Sequence, residues 1–515
     1  MKEQKSRTDK FLLNVIMSAI LQMVTIVTGF ISPRLMLQYF GSEINGLTSS
    51  IIQYVSYISL VEAGLGNAAI YSLYKPLAIG DTKQRDAVVS AARIAYRNTG
   101  MVFTGLAVLL ATVYPFIADS SLLTHFQISV LVLVLCLNST LNFFVMAKYR
   151  AVLTADQCNY LISIVSSIQL VLHTFVIAIM VHILPNAPKN VIWVRGLAVL
   201  TLFFSAIMLS VIMKHKYRGI NYYAEPDRTA MSKRNDAMFM QITGVIQSGA
   251  PSIIITSFLG LTSVSVYSVY NMVVGSMSTC ISVFTSGLSA SFGNIKALGD
   301  EELLKKTNEQ FRVVIFFIIS ILYSTMMIML NSFVGLYTKG VTDVEYILPL
   351  FSALITVYSL LKAVKDPYGM LVYSLGCYKE INPWFAIQTV MVVGLGIWFS
   401  KIWGLTGIAL ALVVANVFML FVMLWFTPKY LLSVSVRIET MRIFRVFCSV
   451  FLTFMVSRAV GYSPESYLSW ILYAVLVVFI STVITLVINI PFEKDIYRAV
   501  VVRIKGYVKS KSVKA

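Results

Sequence analysis

Fourteen apolar runs, one after another, constrain this chain more than any other feature. They cover roughly 11–38, 46–74, 98–118, 126–147, 158–184, 192–213, 239–259, 262–292, 313–331, 346–375, 383–401, 404–426, 443–462 and 467–490. A helix needs about 20 mostly apolar residues to cross ~30 Å of hydrocarbon, and in lipid every backbone N–H and C=O must find its partner within the protein. The reading is an all-α fold, a polytopic membrane protein with about 14 transmembrane helices. Of 515 residues, 58% are apolar and 12% charged. That is about half the charge of an average soluble protein, which excludes a soluble multidomain enzyme and excludes disorder. The basic N-terminus MKEQKSRTDK runs into an apolar stretch without a small-residue cleavage site, so it reads as a retained first span and not a removed signal.

With 41 basic and 23 acidic residues the net charge is +18. Such an excess fits either nucleic-acid binding or a basic cytoplasmic face, and its distribution decides. An even number of spans puts both termini on one side. With that side inside, 33 Lys and Arg residues fall in cytoplasmic segments, four in outer loops (Lys189, Arg195, Lys339, Lys401) and four within spans (Arg34, Lys362, Lys365, Arg458). This is the positive-inside pattern. It leaves nucleic acid without support and places both termini in the cytoplasm. The longest internal connection, 214–238, is too short to bury a core of its own, so a soluble catalytic domain has no room. No GxxxxGK[ST] phosphate loop is present. His125, His173, His182 and His215 show no ligand spacing, and no nucleophile–base constellation stands out. The chain reads as a non-enzyme with no cofactor and no metal. Cys136, Cys158, Cys280, Cys377 and Cys448 form no CxxC pair and imply neither a disulfide framework nor a zinc site.

An offset of 219 residues brings two halves into register. Gln22 meets Gln241, Phe40-Gly41 meets Leu259-Gly260, and Ala78-Ile79-Gly80-Asp81 meets Ala297-Leu298-Gly299-Asp300. The repeat unit is six helices, an even number, so both copies share one orientation. Two pseudo-symmetric six-helix lobes plus two C-terminal helices follow, an arrangement typical of transporters with a site between lobes. The organisation is an N-terminal lobe (1–213), a cytoplasmic linker (214–238), a C-terminal lobe (239–426), an extra helix pair (427–491) and a basic cytoplasmic tail (492–515). The tail, with Lys494, Arg498, Arg503, Lys505, Lys509 and Lys511, suits the anionic inner leaflet.

Polar residues are costly inside a membrane and should face protein or water. Asn14, Ser18, Gln22, Thr25, Gly29 and Ser32 in the first span are three or four residues apart and share one helix face. Gln241, Gly244, Gln247, Ser248 and Pro251 repeat the idea in the seventh. Close helix packing by small residues accounts for such a stripe, as does a wet cavity wall; the matched amides Gln22 and Gln241 favour the wall. Pro33 and Pro251 predict kinks near the outer ends of their helices. Arg34 lies near the outer face, where it serves a cavity or snorkels to headgroups. Glu62 lies in the inner half of the second span, and Lys362, Lys365 and Asp366 at a similar depth in the tenth. Lys362 and Asp366 are four residues apart and can pair along their helix. Two arrangements stay open: a cytoplasmic latch between Glu62 and Lys362 or Lys365, or pairs internal to each lobe. Glu62 and Asp366 are also the candidates for exchanging a coupling cation, proton or sodium.

The stretch PRLMLQYFGSEINGLTSSIIQYVSYISLVEAGLGNAAIYSLYKPLAIGD (33–81) resembles the opening of bacterial polysaccharide (lipid-linked oligosaccharide) flippases of the multidrug/oligosaccharidyl-lipid/polysaccharide exporter superfamily. That family shows an arginine, then Leu-Gly, then an acid and a glycine; here these are Arg34, Phe40-Gly41, Glu43 and Gly46. Its Asp-x-Gly-Leu is Glu62-Ala63-Gly64-Leu65 in this chain. The connection AKYRAVLTADQCNY (147–160) is also similar to that between the family's fourth and fifth spans. The resemblance implies alternating access of two lobes around a cationic cavity. An undecaprenyl-diphosphate-linked sugar would move outwards across the bacterial cell membrane for surface polysaccharide synthesis. Arg34, Lys362 and Lys365 would then meet the diphosphate, and Gln22, Gln241, Asn14 and hydroxyls of the stripe the sugars. Membrane lipids, a polysaccharide polymerase and glycosyltransferases are the implied partners. Position 253, the counterpart of Arg34, is isoleucine, so a cationic cavity would be lopsided.

Two relatives within the superfamily compete with this reading. A cation-coupled multidrug antiporter is expected to have twelve spans and an acidic cavity, and a peptidoglycan-precursor flippase several basic residues in its first lobe. A membrane-bound polymerase or glycosyltransferase would need a large outer loop, and none is present.

Overall fold

The computed structural model describes residues 2–217, 219–227, 235–297, 300–375, 377–427 and 435–512; among these the chain forms helices and turns and no β-strand. Fifteen helices follow in order: α1 (Lys2–Ile58), α2 (Leu65–Ile79), α3 (Thr82–Val113), α4 (His125–Leu141), α5 (Ala147–Ala155), α6 (Asn159–Ile183), α7 (Val191–Val199), α8 (Thr201–Lys216), α9 (Asn235–Leu259), α10 (Leu261–Ala297), α11 (Glu301–Tyr337), α12 (Pro349–Ser374), α13 (Tyr378–Phe426), α14 (Val436–Val460) and α15 (Tyr467–Ser512). Among the described residues, ten segments are long and apolar enough to cross a membrane. Two of them are double, because Gly41 and Gly404 leave helical dihedrals within α1 and α13. Helices α10 and α12, of 37 and 26 residues, are also of span length, in keeping with the about 14 spans expected from the sequence.

The repeat is visible in the punctuation. Gly41 (φ 79°) and Gly260 (φ 83°) are counterparts, and both take the left-handed backbone that a Cβ disfavours. Each turns the chain from one span into the next. Asp81 and Asp300 are also counterparts. Asp81 accepts a hydrogen bond from the Gln84 N–H at 3.0 Å and Asp300 one from the Leu303 N–H at 2.9 Å, so each caps the helix that follows. Pro33 lies inside α1, whose dihedrals stay helical there and leave the helical region at Gly41.

Packing divides the chain into two compact units: residues 1–272 with 340–344, and residues 273–339 with 345–515. In the first unit α1 lies along α6, and its second half also meets α9 and the start of α10. Gly46 lets α10 come so close that any Cβ there would overlap the Leu261 carbonyl. Small polar side chains secure the approach. Asn45 Nδ2 donates to Ser265 Oγ at 2.7 Å, Ser50 and Thr256 hydroxyls share a bond of 2.6 Å, and the Tyr57 hydroxyl donates to the Ile246 carbonyl at 2.8 Å. Packing therefore groups α9 with α1 although the repeat makes α9 the first helix of the second copy. Residues 340–344 join this unit through Asp343, which accepts from the Ser42 N–H at 2.7 Å and the Ser42 hydroxyl at 2.6 Å.

The second unit is held at one end by buried charge. Glu439 (α14), fully buried, accepts from Arg312 (α11), from the Tyr368 hydroxyl (α12) at 2.7 Å and from Arg442 at 3.0 Å. Arg442 in turn reaches Glu493 (α15) at 2.8 Å, and Arg445 meets the same carboxylate. A chain of ion pairs thus links α11, α14 and α15, and the Tyr368 hydroxyl ties α12 to it. Helix α15 leaves helical dihedrals at Glu493 and then continues through the basic tail to Ser512.

Candidate functional site

The first unit holds an open cavity of about 710 Å³ whose walls come from six stretches of chain: the second half of α1 with the turn after it, α4, α5, α6, α7 with α8, and α9. Its polar lining includes Glu62, Arg150, Arg195, His173, Gln169, Gln241, Asn138 and Asn142.

Local backbone breaks place several of these groups. After α1 the chain tightens into a 3₁₀ turn, Ser59–Glu62, then extends at Ala63 and becomes left-handed at Gly64 before α2 begins. The Glu-Ala-Gly-Leu motif is thus a break in the span, and Glu62 faces the cavity from it. The freed N–H of Gly64 donates to Gln241 Oε1 at 3.2 Å. Between α4 and α5 a π turn covers Asn142–Met146. Asn138, Asn142, Met146 and Arg150 are spaced by four, and in a regular helix each such step advances ~40°, so Arg150 would lie ~120° from Asn138. One extra residue in a π turn takes back ~100° of that drift. All four residues consequently line the cavity.

Electrostatically the cavity is a cationic hollow with one carboxylate. Glu62 makes no hydrogen bond, and no ion pair within 4.0 Å, with any described residue; its nearest opposite charge is Arg150. Arg195 sits beside His173. The Nε of Arg150, the Nε of Arg195 and the Oδ1 of Asn142 are all buried with no hydrogen-bond partner among the described residues. A buried polar atom without a partner costs roughly 1–3 kcal/mol. With Arg150 and Arg195 among its lining residues and a fringe of amides and hydroxyls, the cavity is equipped to hold an anion that also carries hydroxyl groups.

Gln241 and Glu62 are brought together at this cavity, and the sequence reading pointed to both. Glu62 has its charged partner within its own unit. Gln22 is half-buried in α1, its Oε1 without a partner among the described residues, and does not line the cavity. Asn14 is engaged as a brace: its Nδ2 donates to the Gln157 carbonyl at 2.8 Å and its Oδ1 accepts from the Tyr160 N–H at 2.7 Å, where the chain turns from α5 into α6. Arg34 is half-buried in α1, away from this lining. In the second unit Lys362, Lys365 and Asp366 all lie on α12. Lys362 has Asp366 and Tyr358 as electrostatic partners. Lys365 is buried and donates to Asn416 Oδ1 at 3.2 Å, an oxygen that also accepts from Gln388 Nε2 at 3.3 Å.

Arg150, Arg195 and His173 escaped the sequence reading. Arg195 was counted with the outer loops, yet Val191-Ile-Trp-Val precedes it and Gly-Leu-Ala-Val follows. Those flanks place it inside a helix. Arg150 lies in the connection 147–160, where the resemblance to the flippases singles out no individual residue.

A scan against protein-family models finds no match, and neither does a sequence search of curated proteins. Solved structures do match. The lipid II flippase MurJ in an inward closed conformation superposes with a TM-score of 0.68 at 13% identity, over 94% of this chain and all of that one. An inward-facing multidrug resistance transporter of the MATE family and MOP superfamily gives 0.60 at 14% identity, over 84% and 98% of the two chains. The MATE multidrug transporter DinF-BH gives 0.60 at 14%, over 81% and 94%. At these identities the likeness establishes the fold, which is that of MOP-superfamily transporters.

Proposed function

We propose that the chain is a flippase that moves undecaprenyl-diphosphate-linked oligosaccharide repeat units from the inner to the outer leaflet of the bacterial cell membrane by alternating access. The observation that carries the proposal is the cavity lined by two arginines, Arg150 and Arg195, among amides and hydroxyls. A diphosphate with hydroxyl-rich sugars cannot cross hydrocarbon unaided. It needs fixed cations for its phosphates and hydrogen-bonding groups for its sugars while the polyprenyl tail stays in lipid. The resemblance over residues 33–81 supports the reading, as does a fold shared with a lipid II flippase. Arg34, Gln22, Lys362 and Lys365 stay assigned to substrate by that resemblance. Glu62 and Asp366 are the proposed sites for a coupling proton or sodium ion. A polysaccharide polymerase and glycosyltransferases are the proposed partners, and the product serves surface polysaccharide synthesis.

The test is the lipid-linked glycan pool in cells lacking the protein. Trapped intermediate on the inner leaflet should build up and clear when the intact chain is restored. Arg150→Gln or Arg195→Gln should restore clearance at least ~10-fold less well at equal protein level, since a charge-assisted hydrogen bond contributes about 1.5–3 kcal/mol. Full clearance by both variants would remove the cavity from the mechanism. If no glycan accumulates and susceptibility to cationic dyes rises instead, a cation-coupled multidrug antiporter is the better reading, with Glu62 as the residue that meets the cargo.

A further inference from the structure

Outside the cavity, α3, α5 and residues 219–227 gather a second group of polar and aromatic side chains around two cations. Arg93 on α3 lies over the Tyr223 ring, its Cζ 4.1 Å from the centroid. Lys148 on α5 holds its ammonium 5.0 Å from the Tyr149 ring and 5.5 Å from the Tyr222 ring. Those two rings meet edge to face at 5.8 Å. The segment is tied to α3 by backbone. Arg85 Nη2 donates to the Gly219 carbonyl at 3.2 Å, and the Asp227 N–H donates to the Ala87 carbonyl at 3.3 Å.

Arg93 and Lys148 are held over the consecutive rings Tyr223 and Tyr222, and each feels the other's positive charge. Asp86, the carboxylate facing Tyr222, is already held by Arg85 at 2.7 Å. No described carboxylate lies within 4.0 Å of Arg93 or Lys148, and Arg93 Nε is buried with no hydrogen-bond partner among the described residues. Two adjacent, half-buried like charges are unfavourable until an anion joins them. The tyrosines attract the faces of the cations but accept none of their N–H groups. The terminal guanidinium N–H groups and the ammonium protons are therefore left for oxygen acceptors.

We propose that Arg93 and Lys148 form a binding site for a phosphate or diphosphate group, walled by Tyr149, Tyr222 and Tyr223. The arginine fork takes two oxygens of such a group and the lysine a third. Lys148 and Arg150 are two residues apart on α5, so they point ~200° apart. The site and the cavity lie on opposite faces of one short helix. The anion is either the headgroup of a membrane lipid or a soluble phosphate compound, and the site stands whether or not the chain carries lipid-linked sugars.

The experiment uses the full chain in phosphatidylcholine nanodiscs. One arm titrates inorganic pyrophosphate; the other adds phosphatidylglycerol and follows its retention by native mass spectrometry. Binding is expected in at least one arm: in the first for a soluble or diphosphate ligand, in the second alone for a phospholipid headgroup. Arg93→Gln and Lys148→Gln should each weaken it tenfold or more. Lys83→Gln, which removes an exposed charge from the first turn of α3, should leave it unchanged and so control for net charge. Arg93→Lys keeps the charge and loses the fork, and should weaken binding without any risk to folding from a lost charge. Equal binding by all variants and the parent, or no anion held in either arm, overturns the proposal.

Discussion

Gly46→Ala tests the packing of the first unit at its tightest point. An exposed Gly→Ala change inside a helix is ordinarily stabilising by ~0.5–1 kcal/mol, because alanine has less backbone freedom to lose. Here the added methyl would overlap the Leu261 carbonyl, lie 2.7 Å from its carbon and 3.1 Å from the Ser265 nitrogen. Those atoms are backbone and cannot swing aside, so α10 must move away from α1. Overpacking of this kind costs ~1–3 kcal/mol. The same movement stretches the Asn45–Ser265 and Ser50–Thr256 bonds, 2.7 and 2.6 Å in the native packing, at ~1 kcal/mol each. The expected net loss is ~3 kcal/mol or more after the helix gain is subtracted. Gly29→Ala is the matched control, since a Cβ there meets nothing within 4 Å and should be neutral or mildly stabilising. Fluorescence-detected size-exclusion after heating should show Gly46→Ala melting roughly 5 °C or more below the parent, and Gly29→Ala at or above it. Coincident melting of the two variants would refute the close approach of α1 and α10.

Two further outcomes concern charge. Glu439→Gln should destabilise the second unit by about 3–5 kcal/mol, because Arg312 then remains buried without its carboxylate while Arg442 keeps only Glu493; a melting temperature equal to the parent's in the same heating assay would show that the ion-pair chain is not structural. Asp156 lies between the spans of α5 and α6. Burial pushes its carboxyl pKa up, but hydrogen bonds from the Tyr217 hydroxyl, the Cys158 thiol and the Lys10 ammonium outweigh that and hold it below the usual carboxylate range. A depressed carboxyl stabilises the fold above its unfolded pKa of ~3.9 and loses that contribution as pH falls through the folded value. Asp156→Asn should therefore cost ~1 kcal/mol at pH 7, with the gap to the parent closing below about pH 4. A gap independent of pH would place the effect in packing and not in charge.

Much of the fold was legible because lipid makes a coarse demand. A span must be apolar over its whole length, and the fourteen runs register that directly. The repeat was legible for a different reason: Gly41 and Gly260, Asp81 and Asp300 are turn and cap residues whose type is dictated by backbone geometry. What packs on what was not legible. In a membrane the lipid-facing side of a helix is as apolar as the buried side, so periodicity does not reveal that α9 lies against α1. The site suffered from the same blindness. Arg195 was assigned to a loop because counting charges by side rewards that assignment, and Arg150 looked like one more cytoplasmic cation. Glu62 and Gln241 were found because a carboxylate and an amide inside apolar runs are conspicuous there.

The π turn at Asn142–Met146 makes the cavity sensitive to length as well as to chemistry. The residue types that line the α4–α5 wall could all be kept and the wall still lost, since removing one residue from 142–146 would restore an ordinary helix and shift the phase of everything after it by ~100°. Arg150 would leave the cavity and Lys148 would leave its tyrosines in the same rotation. One inserted residue thus sets the bearing of two cations at once, a dependence that scanning by substitution passes over and scanning by deletion would expose.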